Sequence, residues 1–326
     1  MSKANGLRLG IAMLLATGGA AILQGPVEAQ ASPDGQCSLA VVSKLAGKQQ
    51  NVCDTKLVQE LAQKGHAFEQ NQLGIASMLA IGPDYTDKEA LKWFEKAASK
   101  GYAPAQVNLA VMYANGWGTP VKEAAALNWL HIAADQGFAR AFTNLGILYL
   151  KGRGVRQDYA EAYRWFQKGA DAGDSDSQTN LAYLYENGHG TAKNRELAID
   201  WYRKAAAAGN PLAQNNLADI YLRGDGVAQN ANEAFLLFSR AAEQGHTGAR
   251  IMLGSLYSEG IGTKRDLQAA YTWLTAASLS GDYRGRDRLS ALESKLTGAQ
   301  IAEAREQAMR LRSESGAQLT ARALAQ

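Results

Sequence analysis

The residues of this chain that could do chemistry are two cysteines, four histidines, one acidic triplet and a set of paired glycines. His66, His131, His189 and His246 form no His-Glu-x-x-His and stand out of phase with both cysteines, so they read as packed or solvated rings rather than metal ligands. Asp174-Ser175-Asp176 opens like a calcium loop, but its sixth position is not glycine and its twelfth is Tyr185. The pairs Gly116/Gly118, Gly152/Gly154, Gly188/Gly190, Gly224/Gly226 and Gly260/Gly262 would suit a phosphate cradle between a strand and a helix. They follow helical patterns and lack a third glycine, so they read as turns. No Gly-x-Ser-x-Gly occurs. The expectation is no catalytic residue, no metal and no cofactor. What does recur is an amide. Asn108, Asn144, Asn180 and Asn216 lie 36 residues apart, with Gln72 before them in phase and Met252 after. A carboxamide offers both a donor and an acceptor, which suits it to an extended main chain. The same amides could instead bond inside their own unit, to a helix end.

The elements that place these amides follow from glycine. Gly65, Gly101, Gly137, Gly173, Gly209, Gly245 and Gly281 keep a 36-residue period, the signature of stacked supersecondary units. In the unit that starts at Gly137, Ala141, Leu145 and Tyr149 fall on one face of a helix. The Gly152–Gly154 loop ends that helix, and Asp158 with Glu161 forms a capping box for the next. Ala162, Trp165, Phe166 and Gly169 predict the inner face of this second helix. The cap recurs at Thr86, Asn194, Asn230 and Asp266, whereas Lys122 predicts a less clean start in the unit from Gly101. Leu73, Leu109, Leu145, Leu181, Leu217, Leu253 and Leu289 share one phase. So do Tyr113, Tyr149, Tyr185, Tyr221 and Tyr257, and so do Trp93, Trp129, Trp165, Trp201 and Trp273. All are expected in the core. Ala97, Ala133, Gly169, Ala205, Ala241 and Ala277 are small enough to let two helices approach closely. One hairpin buries too little surface to stand alone, so the units must stack.

Ala103 to Gly118 reads Ala-x-Ala-Gln-x-Asn-Leu-Ala-x-Met-Tyr-x-x-Gly-x-Gly, and Trp129 to Gly137 reads Trp-Leu-x-x-Ala-Ala-Asp-Gln-Gly. This pattern resembles the Sel-one-like repeat family, a relative of the tetratricopeptide repeats, from Gly65 to about Gly281. The unit from Gly65 departs, with Gly82-Pro83 in place of the paired glycines. The unit from Gly281 has Glu293 where tyrosine is expected. Such departures suit terminal repeats, which meet water on one side. The resemblance implies an all-α fold, a right-handed α/α superhelical solenoid of 36-residue helix-turn-helix repeats. It further implies a scaffold that holds a protein or peptide partner in a concave groove. On the tetratricopeptide likeness, that groove is lined by Asn108, Asn144, Asn180 and Asn216, with Val111, Ile147, Tyr183 and Asp219 beside them. Exported members of the family serve as envelope regulators, as assembly factors or in host interaction. The alternative it suggests is a cell-wall hydrolase or β-lactamase-like enzyme. The relatives linked to that activity carry a cysteine pair in each repeat, and this chain has two cysteines in all.

Residues 1–31 read as a secretory signal peptide. Lys3 and Arg8 precede the apolar run Leu9 to Leu23, and Ala29-Gln30-Ala31 is a small-x-small cleavage site. The run is short and broken by glycine, which disfavours a membrane anchor. The expected location is the periplasm or the exterior, with no integral membrane segment in the mature chain. There Cys37 and Cys53 are expected to form one disulfide. The other reading, a redox or nucleophilic thiol, lacks a Cys-x-x-Cys. The bridge would tie an N-terminal cap, residues 32–64, to six repeats at 65–280. A degenerate repeat and a capping helix would then close the chain at 281–326, where Thr297 and Gln300 form a capping box. A formal net charge of +3 gives no basic footprint for nucleic acid.

Overall fold

The computed structural model describes residues 55–78 and 86–325. The signal-peptide reading of residues 1–31 and the Cys37–Cys53 pairing lie outside the described residues. Among the described residues all regular structure is helical, and the chain divides into two compact units, the first ending at Asp174 and the second spanning Ser175–Gly316. The first contains α1 (Thr55–Lys64), α2 (Ala67–Met78), α3 (Asp87–Ala98), α4 (Ala103–Asn115), α5 (Glu123–Asp135), α6 (Ala139–Lys151) and α7 (Tyr159–Asp171). The second contains α8 (Ser175–Asn187), α9 (Arg195–Ala207), α10 (Pro211–Arg223), α11 (Ala231–Glu243), α12 (Thr247–Glu259), α13 (Leu267–Leu279) and α14 (Arg286–Glu293), with α15 (Gly298–Ala325) after them. The antiparallel hairpins are α2/α3, α4/α5 and α6/α7 in the first unit, and α8/α9, α10/α11 and α12/α13 in the second. Within each unit, every hairpin packs on the next.

The caps explain where these helices begin. Asp158 accepts hydrogen bonds from the main-chain N–H groups of Ala160 and Glu161 at 2.9 and 3.0 Å. Thr86, Asn194, Asn230 and Asp266 do the same for α3, α9, α11 and α13. Lys122 makes no side-chain cap, in keeping with its sequence. Glycine serves two separate purposes. At Gly101 the backbone has φ +84° and a Cβ would meet nothing within 4 Å, so only the conformation requires glycine. At Gly118 the backbone also has positive φ, but a Cβ would lie 2.6 Å from the carbonyl oxygen of Asp87. The second glycine of the pair is therefore a contact between repeats as well as a turn.

The periodic leucines are buried from Leu73 to Leu253, but the tryptophans are not the core. Trp93, Trp129, Trp165, Trp201 and Trp273 are half-buried, and Lys96, Lys168 and Lys204 sit over three of their rings at 4.3, 4.3 and 4.0 Å. The core position is the next residue along: Phe94, Leu130, Phe166, Tyr202, Phe238 and Leu274, all fully or almost fully buried. The opposite helix makes room for them. A Cβ on Gly74 would come within 2.5 Å of the Phe94 ring, and one on Gly146 equally close to Phe166. At the C-terminal end Glu293, standing where tyrosine was expected, accepts from the Tyr271 hydroxyl at 2.6 Å, and Arg305 of α15 bonds both groups. Thr297 and Gln300 bond reciprocally, as a capping box does.

Candidate partner-binding stripe

The first helix of each repeat carries the amide ladder, and the structure gives its members different surroundings. Asn108 on α4 is buried and donates from Nδ2 to Asn71 Oδ1 of α2 at 2.9 Å, a bond between successive repeats. Asn144 on α6 is buried and donates to the carbonyl of Arg140 at 3.1 Å. Val111 and Ile147, one turn on, are buried as well. In the second unit the ladder is more open. Asn180 is half-buried and donates to the Asp176 carbonyl at 2.8 Å. Asn216 is half-buried and accepts from Asn215 Nδ2 at 3.3 Å. Tyr183 is half-buried beside His189, and Asp219 is paired with Arg223 at 3.0 Å. The in-phase Gln72 of α2 is fully buried, and among the described residues neither its amide nitrogen nor its amide oxygen has a hydrogen-bond partner.

Charge is perturbed on and beside the same helices. Lys151, one turn beyond Ile147, is held below the usual lysine range by burial and by the neighbouring Arg153. The buried Tyr202 hydroxyl is pushed well up by burial and by Glu186, to whose Oε2 it donates at 2.9 Å, while the nearby Asn216 amide works in the opposite direction. Among the described residues no group of three or more His, Cys, Asp or Glu side chains could hold a metal ion. No helix of the described chain is long and apolar enough to cross a membrane.

A second amide series escapes a reading that weighs only the asparagines. Five residues after the anchor glycine, Gln70, Gln106 and Gln214 donate to the carbonyls of Ala62, Ala98 and Ala206, which end the preceding second helix. Gln136 and Gln244 then donate to Gln106 and Gln214 Oε1, each at 2.8 Å. The glutamine stands in phase two residues before the asparagine, so periodicity alone could have found it. That it ties one repeat to the previous helix end could not be read without the packing.

These hairpins, their glycine turns and their amide staples define an all-α repeat protein. Six segments, residues 70–102, 103–138, 139–174, 175–210, 211–246 and 248–282, match the Sel1 repeat, and the chain belongs to that family. A Sel1 repeat protein from Oxalobacter formigenes is similar in structure, with a TM-score of 0.59 and 27% identity, over 70% of this chain and 97% of that one. The antigen c5321 of uropathogenic Escherichia coli, described as having an SLR fold, is 28% identical with a TM-score of 0.45, over 87% of this chain and 70% of that one. The immunity protein Pa5087 of Pseudomonas aeruginosa shares the fold at 18% identity and a TM-score of 0.50, over 76% of this chain and 83% of that one. No curated protein matches the chain by sequence.

Proposed function

We propose that this chain is an exported, non-catalytic scaffold that holds an extended segment of a protein partner along its first-helix stripe. Sel1 repeats are protein–protein interaction modules, and that supports the general reading. The observation that carries the finer one is the pair Asn180 and Asn216, in phase on the first helices of the second unit and half-buried, where a partner can reach them. A partner's main chain, with one N–H and one C=O per residue, offers such carboxamides both an acceptor and a donor. Tyr183, half-buried one turn beyond Asn180, would add an apolar contact to the same segment.

The test is site-specific photo-crosslinking in living cells, with the reactive residue placed at Asn180, Tyr183 or Asn216 and, as outward controls, at Val121 or Arg164. Adducts to one protein from the stripe positions alone support the proposal, and adducts from the controls alone reject it. Export includes cleavage after Ala31 and a Cys37–Cys53 bridge. The intact mass of the protein recovered from the envelope should equal that of residues 32–326 less two hydrogens. A full-length, fully reduced mass would reject both.

A further inference from the structure

Two arginine junctions use the same repeat positions with the charges exchanged. In the first unit Arg153, the middle residue of a Gly-x-Gly loop, reaches back to the preceding repeat. Its Nε donates to Glu123 Oε1 at 3.0 Å, its Nη1 to Asn115 Oδ1 at 3.4 Å, and its Nη2 to the Ala114 carbonyl. In the second unit the arginine comes from the other side. Arg195, at the start of α9, donates from Nη2 to Asp225 Oδ2 at 2.6 Å, from Nε to the Asp225 carbonyl at 3.4 Å, and from Nη1 to Glu186. Asp225 is the middle residue of its own Gly-x-Gly loop. Glu123 and Arg195 are equivalent positions, 22 residues after their anchor glycines, and Arg153 and Asp225 are equivalent at 16. A third junction, Ala231 with the loop of Ile261, is apolar. Its glycine lies so close that a Cβ on Gly262 would fall 2.1 Å from the Ala231 carbonyl oxygen.

The periodic leucines and turn glycines cannot distinguish one neighbour from another, because they repeat in strict register. The junctions can. A frame slipped by two repeats would set Glu123 against Asp225, two like charges. A slip of one would seat Arg195 against Ile261, with no carboxylate from the neighbouring repeat and only Glu186 of its own. Partly exposed ion pairs add little stability when correctly made, yet like charges in contact exclude a wrong partner. We propose that these junctions are register keys: charge-exchanged and apolar contacts that favour the adjacent repeat over those slipped partners, on the same chain or on a second copy of it. Buried or half-buried ion pairs that fix register in other folds do so by the same asymmetry.

The test writes one key twice. The variant E123R/R153E keeps an ion pair in the first unit but gives it the polarity of Arg195–Asp225. E123A/R153I copies the residue types of the Ala231–Ile261 junction. Each full-length variant is unfolded in urea, refolded over a range of protein concentrations, and sized by chromatography with light scattering beside protein never unfolded. The expected result is a melting temperature within about 3 °C of the unaltered chain, together with a misassembled fraction several-fold larger that grows with concentration. Clean refolding of both variants overturns the proposal. Failure of both to fold overturns it as well, since the junctions would then hold the fold rather than choose neighbours. If only one folds, its refolding decides the matter.

Discussion

Arg250 donates from Nε to the main-chain carbonyl of Ala242 at 3.1 Å, in the place where Gln106 and Gln214 use an amide. The arginine is almost fully buried and also reaches Ser280 Oγ at 2.9 Å, the residue in phase with Gln136 and Gln244. One longer side chain thus spans two bonds that the earlier repeats build from two glutamines. Burial pulls its guanidinium down to about 10, so the charge is held in an unfavourable place. R250Q is therefore expected to change stability by less than about 1 kcal/mol, because it restores the short amide bond and removes a buried charge. R250A should lose about 2–4 kcal/mol through the cavity and the abandoned carbonyls. Urea unfolding of the two variants checks this, and equal losses would show that the charge itself is required.

His246 gives the C-terminal repeats a defined response to acid. It caps α12 by accepting the Ala249 N–H at Nδ1, and its pKa falls to about 4, through burial first and then through Arg284 and Arg250, with Asp282 opposing. A folded-state pKa below the unfolded value means that the unfolded chain binds more protons. Stability is then complete above the unfolded pKa near 6.5 and is lost as pH falls towards 4, by up to about 3 kcal/mol. H246N keeps a capping side chain of the kind that Asn210 supplies one repeat earlier, but it cannot titrate. The difference between the two stability curves should appear between pH 6.5 and 4. Parallel curves would mean that the imidazole is not held neutral.

The two kinds of glycine should separate cleanly in measurement. G101A meets open space and carries only the left-handed backbone penalty, about 1 kcal/mol. G118A adds a clash with the Asp87 carbonyl to a similar φ, and about 2–4 kcal/mol is expected. Comparable losses in thermal unfolding would show that the loop can withdraw from the preceding repeat.

The fold was legible because its cause is periodic. Leu145, Asp158 and Gly173 each recur in phase and each has one physical role, as core residue, cap and turn. Phe166 was harder to weigh against Trp165. Both lie on the inward side of α7, and only the glycine at 146 on the facing helix shows which ring goes in. The pairing of Arg195 with Asp225 was out of reach, because it joins residues 30 apart that are equivalent to no fixed residue type in the other repeats. The asparagine ladder was visible as a pattern, but its chemistry depends on what each amide already bonds, which periodicity does not encode.

That difference within the ladder makes the last prediction. Asn108 bonds Asn71 across a repeat boundary and is buried. N108A should therefore lower stability by about 1–3 kcal/mol, because it leaves the Asn71 oxygen in the interior without its donor. Asn180 returns its donor to its own helix at Asp176, and Asn216 is half-buried. The double variant N180A/N216A should lose less than about 1 kcal/mol, since alanine favours the helix and the buried Tyr202 hydroxyl, which loses Asn216, keeps its bond to Glu186. If the second-unit amides hold a partner, the same double variant should reduce crosslinking from Tyr183 by an order of magnitude or more. Unchanged crosslinking with a clear fall in melting temperature would make Asn180 and Asn216 staples like Asn108, and would remove them from the binding surface.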